Sequence, residues 1–198
     1  MGALIDLGIT KGFDSFASSK QALLLKKLVR DGQQPKSIVV TCSDSRVAPE
    51  IIFEADIGQL FVIRVAGNVI DSHVVASIEY AATALNVSNC IVMGHSGCGA
   101  VSETLKCVHE NNVPPTDALE KLVSCIEPSV SIAAKKFQSL STEEYLSQAI
   151  KEHVKSMARE ILSSSTVIRE KVHDGSFIVV PAFFDMGEVS LEWLNSRA

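Results

Sequence analysis

Positive charge is scarce in this sequence: 18 Lys and Arg stand against 23 Asp and Glu, a net charge of -5. No basic footprint for nucleic acid or an acidic membrane surface follows from that balance, and the expected partner is a small molecule. No apolar run approaches the roughly 18 residues of a membrane span. Met1-Gly-Ala-Leu-Ile-Asp6 lacks a charged region followed by a long apolar stretch, and Asp6 stands where a myristoylation signal requires Ser or Thr. Five cysteines, an odd number with no short-spaced framework, argue against a disulfide-stapled secreted fold. Free or metal-bound thiols in a reducing compartment are expected instead, hence a cytoplasmic protein. Repeats and low-complexity linkers are missing too. The 198 residues are therefore expected to form one domain, 1–198, with residues 1–31 as an N-terminal helical arm.

What is present is an alternation of short β-branched runs and helical periods. Ala22, Leu24, Leu25, Leu28 and Val29 predict a helix over Ser18 to Arg30, stopped at Asp31-Gly32. Ile38-Val-Val and Leu60 to Val65 read as strands buried on both faces, with one or two helical turns at Pro49 to Phe53 between them. Asp71 is a candidate N-cap for a helix that aligns Val74, Val75, Ile78, Ala82 and Leu85. Cys90 to Met93 predicts a third strand, followed by a turn over Gly94 to Gly99 and a helix to about His109. After a loop at Asn111 to Pro115, two short helices are expected, Asp117 to Ile126 and Ser129 to Phe137, broken at Pro128. Ser141-Thr-Glu-Glu144 fits a capping box for a helix to about Ser164. Strands at Phe177 to Phe184 and Glu188 to Leu191 close the chain. The sum predicts an α/β fold: a mostly parallel sheet, order 2-1-3-4 with a short antiparallel edge strand, flanked by helices.

Two strand ends concentrate the chemistry. Cys42-Ser-Asp44-Ser-Arg46 follows the first strand and Gly94-His95-Ser-Gly97-Cys98-Gly99 follows the third, and the doubly wound order makes these strands neighbours. Cys, His and Cys form a donor set suited to zinc. Any one of them alone would be better explained as an ordinary core residue; together, beside Asp44 and Arg46, they are not. A closed structural site needs a fourth Cys or His. Cys90 should lie about 16 Å along its strand from His95, and Cys107 about 14 Å along a helix from Cys98. Distance does not decide Cys125. Three ligands with an open fourth position point to catalytic zinc carrying water or hydroxide. A phosphate-binding loop fits poorly, because the glycines run G-x-x-G-x-G with no Lys-Ser/Thr pair. Asp44 and Arg46 could be a surface ion pair of little worth. Beside a metal, the carboxylate can orient the hydroxide while the arginine holds it off the ion.

These motifs, with Leu60-Phe-Val-Ile-Arg64-Val-Ala-Gly67-Asn68 and Ile78-Glu-Tyr80-Ala, resemble the β-class carbonic anhydrases, strongly over Gly32 to Val101 and weakly over Phe177 to Val189. The resemblance implies Zn2+ on Cys42, His95 and Cys98, a catalytic Asp44–Arg46 dyad, and reversible hydration of carbon dioxide to bicarbonate by zinc-bound hydroxide. It further implies a homodimer or dimer of dimers, with Gln33, Phe61, Ala66, Tyr80 and Gly99 as candidate substrate-binding residues. Two features depart from the pattern: Val65 replaces an asparagine, and Gly12-Phe13 is a remnant of a longer N-terminal motif.

Some family members have an inhibitory bicarbonate pocket of Trp, Arg and Tyr. Here Arg64 persists, but Val39 and Phe184 hold the other two positions, so the zinc site is expected to stay open. Two thiolates should acidify bound water less than three histidines do, which predicts activity rising above neutrality. His73, His109, His153 and His173 are available for proton relay, most of them as surface residues. Carbonyl sulfide or carbon disulfide hydrolysis on the same site, and a zinc-binding regulatory protein without turnover, are the competing expectations.

Overall fold

The computed structural model of the chain describes residues 9–110, 112–137 and 141–195. Residues 1–8 of the expected arm, Asn111 in the expected loop, and residues 196–198 of the expected domain lie outside them. The sheet has five strands in the order β2-β1-β3-β4-β5. These are β1 (Ser37–Thr41), β2 (Leu60–Arg64), β3 (Asn89–His95), β4 (Ile178–Asp185) and β5 (Ser190–Trp193). The first four run parallel and β5 returns antiparallel along β4, as expected from the sequence.

Side chains alternate across the sheet, and so divide the core in two. Ile38 and Val40 of β1 with Cys90 and Val92 of β3 face the main cluster, which also holds Phe183, Ile150, Val154, Ile161 and Phe177. Ile91 and Met93 of β3 face a smaller cluster with Val47, Ile52, Phe53, Ala182 and Phe184. Ile38, Val39 and Val40 are all fully buried, the two-sided burial that a β-branched run in a parallel sheet requires.

Eight helices are described: α1 (Ile9–Ala17), α2 (Lys20–Asp31), α3 (Pro49–Ile52), α4 (Ser72–Ala84), α5 (Gly99–Glu110), α6 (Asp117–Lys136), α7 (Thr142–Ser164) and α8 (Thr166–His173). Their starts follow their capping residues. Asp71 accepts from the backbone N–H groups of His73 and Val74 at the head of α4. Ser141 and Glu144 complete the reciprocal box that opens α7.

Three expectations are corrected. The two short helices around Pro128 are one helix, α6: proline lacks the N–H for its own i-4 bond, but Ile126, Ser129, Val130 and Ala133 form one buried stripe that carries both halves through. The sequence pattern predicts no helix between Ser164 and Phe177. There α8 forms, capped by Ser165, whose hydroxyl accepts from the Ile168 N–H. The edge strand begins at Ser190 rather than Glu188, because residues 186–189 are spent on the turn.

Candidate metal centre

Register brings the two strand ends together. Thr41, the last residue of β1, lies opposite Met93 of β3 and opposite Arg64 of β2. Its hydroxyl donates to the Met93 carbonyl at 2.9 Å, fastening the strands just before they diverge. Cys42 is the next residue of one chain segment, and His95 ends the other. Cys98 follows three residues later on the turn that enters α5. Of the three glycines in that turn only Gly97 has positive φ. Gly94 serves close approach instead: a Cβ there would collide with Val154 Cγ2 of α7 and stand 3.1 Å from Ile150 Cγ2.

The ligand atoms of Cys42, His95 and Cys98 all lie within 4.8 Å of one another, and all three residues are buried. The two sulfurs are 4.0 Å apart. Two zinc–sulfur bonds of about 2.3 Å at a tetrahedral angle would set them about 3.8 Å apart. His95 Nδ1 sits 3.0 Å from the Ser96 carbonyl oxygen, which can only accept, so Nδ1 carries the proton and Nε2 presents its lone pair. That Nε2 is buried and has no hydrogen-bond partner, a condition shared among the described residues only by Asn68 Nδ2. An unpartnered acceptor between two buried thiols fits a metal ion.

The thiols titrate as a pair. Loss of the first proton is favoured because the Cys42 thiolate accepts from Cys98 and from the Gly67 N–H, at 3.4 Å. The second proton is held in the hydrogen bond that Cys98 donates to the Cys42 thiolate and by burial, which push Cys98 up. A dication between the sulfurs removes that penalty. The remaining thiols stay outside the set: Cys90 is buried, Cys107 half-buried and Cys125 exposed.

Asp44 and Arg46 form a bidentate pair: Nε donates to Oδ1 at 3.0 Å and Nη2 to Oδ2 at 2.8 Å, with the Arg46 backbone N–H adding a third bond to Oδ1 at 3.0 Å. The guanidinium holds the carboxyl well below the usual carboxylate range. Asp44 Oδ2 lies 3.9 Å from His95 Nε2.

Sequence spacing missed the residue that fixes this turn. Arg64, at the end of β2, donates through Nε to the Cys42 carbonyl at 3.3 Å and through Nη2 to the Asp44 carbonyl at 2.6 Å. Its position beside Thr41 in the register is the signal that could have found it. Val39 is fully buried and Phe184 half-buried, and neither side chain has a polar group to offer an anion.

The expected substrate residues are less gathered. Phe61 and Tyr80 form a tilted aromatic pair with ring centroids 6.2 Å apart, Tyr80 being 49% exposed. Ala66 opens the 3-10 turn Ala66–Asn68 after β2, Gly99 is the first residue of α5, and Gln33 lies in the exposed segment before β1. Of the four relay histidines, His73, His109 and His173 are exposed, but His153 is fully buried and so closed to bulk buffer.

The family model described as carbonic anhydrase matches residues 37–191, a span that includes all five strands except the last two residues of β5. The chain belongs to the carbonic anhydrase family. It is 36% identical over 157 residues to carbonic anhydrase 2 of Mycobacterium tuberculosis, covering 79% of this chain and 73% of that one. It is 31% identical over 188 residues to beta carbonic anhydrase 3 of Arabidopsis thaliana, covering 89% and 72%. The solved structure of the β-carbonic anhydrase CcaA superposes with a TM-score of 0.83 at 28% identity, covering 95% of this chain and 92% of that one. The β-class carbonic anhydrase fold is thus shared over 95% of this chain.

Proposed function

We propose that this carbonic anhydrase interconverts carbon dioxide and bicarbonate at a zinc ion held by Cys42, His95 and Cys98. The observation that carries the reading is the convergence of three buried ligand atoms on one point, with the unpartnered His95 Nε2 among them. Zinc bound there would supply the Lewis acidity that makes water a usable nucleophile near neutrality.

The chain supplies the rest. Ser96 fixes the His95 tautomer through Nδ1. Asp44, anchored on both oxygens by Arg46, accepts the hydrogen of the nucleophile and turns its lone pair toward carbon dioxide. Arg46 also prevents that carboxylate from swinging inward to become a fourth ligand, which keeps the site open. Phe61, Ala66 and Tyr80 offer the apolar wall on which carbon dioxide rests, with Gln33 and Gly99 supplying polar contacts to its oxygens. Because the Phe61–Tyr80 pair is partly exposed, a second copy of the chain would complete that wall. The working unit is then a cytoplasmic homodimer or dimer of dimers, each chain being one domain over 1–198. Two thiolates in the donor set leave the centre less electron-poor than three histidines would, so hydration rises as pH passes above neutrality.

Zinc content and stopped-flow carbon dioxide hydration, with and without a chelator, test this directly. One zinc per chain, chelator-sensitive turnover and a loss of about 10–100-fold in Asp44→Asn with zinc retained are expected. Turnover in the zinc-free protein, or an Asp44→Asn variant as fast as wild type, would refute it.

A further inference from the structure

His153 is the one histidine besides His95 that is fully buried among the described residues. Its Nε2 lies 2.7 Å from the Gly67 carbonyl oxygen and its Nδ1 3.3 Å from Ser129 Oγ. A carbonyl oxygen only accepts, so Nε2 carries the proton; Nδ1 of the neutral ring is then the acceptor, and the Ser129 hydroxyl donates to it. Burial keeps the ring neutral, pushing its pKa down to about 4. The donors therefore run in one direction, from α6 through α7 to the turn after β2.

That turn touches the metal centre. Gly67 donates its N–H to Cys42 Sγ at 3.4 Å. The residue sits at φ 62°, and a Cβ on it would stand 2.9 Å from Ile126 Cδ1 and 3.1 Å from Ala100 Cβ, so any side chain there would be both strained and crowded. A glycine is also the residue least able to hold its own orientation. Here α7 supplies the restraint twice: His153 ties the Gly67 carbonyl, and four residues on, Met157 Sδ accepts from the Ile70 N–H at 3.3 Å.

We propose that His153 is a positioning residue for the metal centre: by holding the Gly67 carbonyl it aims the Gly67 N–H at Cys42 Sγ and fixes that sulfur as a ligand. A hydrogen bond to a ligand thiolate restricts the sulfur and withdraws charge from it, the means by which groups behind the ligands tune a metal. The inference rests on the reading of Cys42 as a zinc ligand.

Four variants test it: His153→Phe, His153→Gln, Ser129→Ala and Ile161→Ala. The last removes a fully buried side chain about 12 Å further along α7. The readouts are the rate of zinc release to a chelator, the thiolate-to-metal absorption band of the cobalt-loaded protein, and Tm. His153→Phe is expected to release zinc about 10–100-fold faster and to shift the band. His153→Gln, whose side-chain N–H can still reach Gly67, restores most of both, and Ser129→Ala gives a smaller change in the same direction. Ile161→Ala lowers Tm and moves neither.

Wild-type release and absorption in His153→Phe would overturn the proposal, as would an Ile161→Ala variant that moves both readouts equally. Should His153→Phe not fold, wild-type behaviour of Ser129→Ala overturns it. A Cys42→Ser variant that keeps wild-type zinc affinity would instead overturn the ligand assignment beneath it.

Discussion

One buried cysteine lies near the start of strand β3 and another three residues past its end. Cys90, near the start, is fully buried among apolar neighbours, and desolvation alone pushes its thiol far above the ordinary range. Cys98, just beyond the end, is equally buried, yet it faces Cys42 and His95, and the arginine-held Asp44 carboxylate lies 3.9 Å from that histidine's Nε2. Burial is the same; the partners differ. A buried thiol with only apolar contacts is a small hydrophobe. A buried thiol among convergent donors is one ligand of a site, because only a cation can relieve the charge such a cluster develops.

The strongest way to break this contrast is Cys42→Ser. Zinc binding by small protein sites is worth about 10–16 kcal/mol, so losing one of three ligands should weaken binding by roughly a thousandfold and abolish hydration with it. Inductively coupled plasma measurement of zinc after dialysis against a chelator would show the loss.

His153 provides the next largest effect, on stability. It protonates at about 6.5 when unfolded but only near 4 when folded, since burial outweighs the Gly67 carbonyl and the Cys42 charge, both of which favour the protonated ring. The unfolded chain therefore binds more protons between those values. Stability from this group is complete above about pH 6.5 and is lost as pH falls toward 4, by up to about 3 kcal/mol. Urea titrations across that window should give a steeper decline for wild type than for His153→Gln; parallel curves would contradict the account.

Arg46→Gln sharpens the polar side of the comparison. It frees Asp44 from its two-point hold, and hydration should fall about 10–100-fold while zinc content stays at wild type. At the apolar start of β3, Cys90→Ala should cost only about 1 kcal/mol in thermal denaturation, the price of a small cavity, and leave the metal untouched.

Much of this architecture was legible in the sequence because local rules decide it. The β-branched run of β1, the Asp71 and Ser141 caps, and the Cys-x-Asp-x-Arg spacing each depend on residues within one turn or strand. The parallel order then places Cys42 beside His95 without further information. What escaped depends on contacts between distant segments. Pro128 argued for a break because its missing N–H is a local fact, whereas the buried stripe that carries α6 through it is a tertiary one. Arg64 lies 20 residues from the Asp44 carbonyl it holds, and His153 lies 86 from the Gly67 carbonyl. On α7, His153 simply continues the inward face of Ile150, Val154 and Met157, and nothing in that periodicity reveals what its ring meets.

The most direct test sets the metal cluster against the apolar start of β3: zinc stoichiometry and carbon dioxide hydration measured side by side for wild type, Cys42→Ser and Cys90→Ala. One zinc per chain with full hydration in wild type and Cys90→Ala, and neither in Cys42→Ser, is the predicted result. Zinc and turnover surviving in Cys42→Ser, or both disappearing in a folded Cys90→Ala, would contradict it.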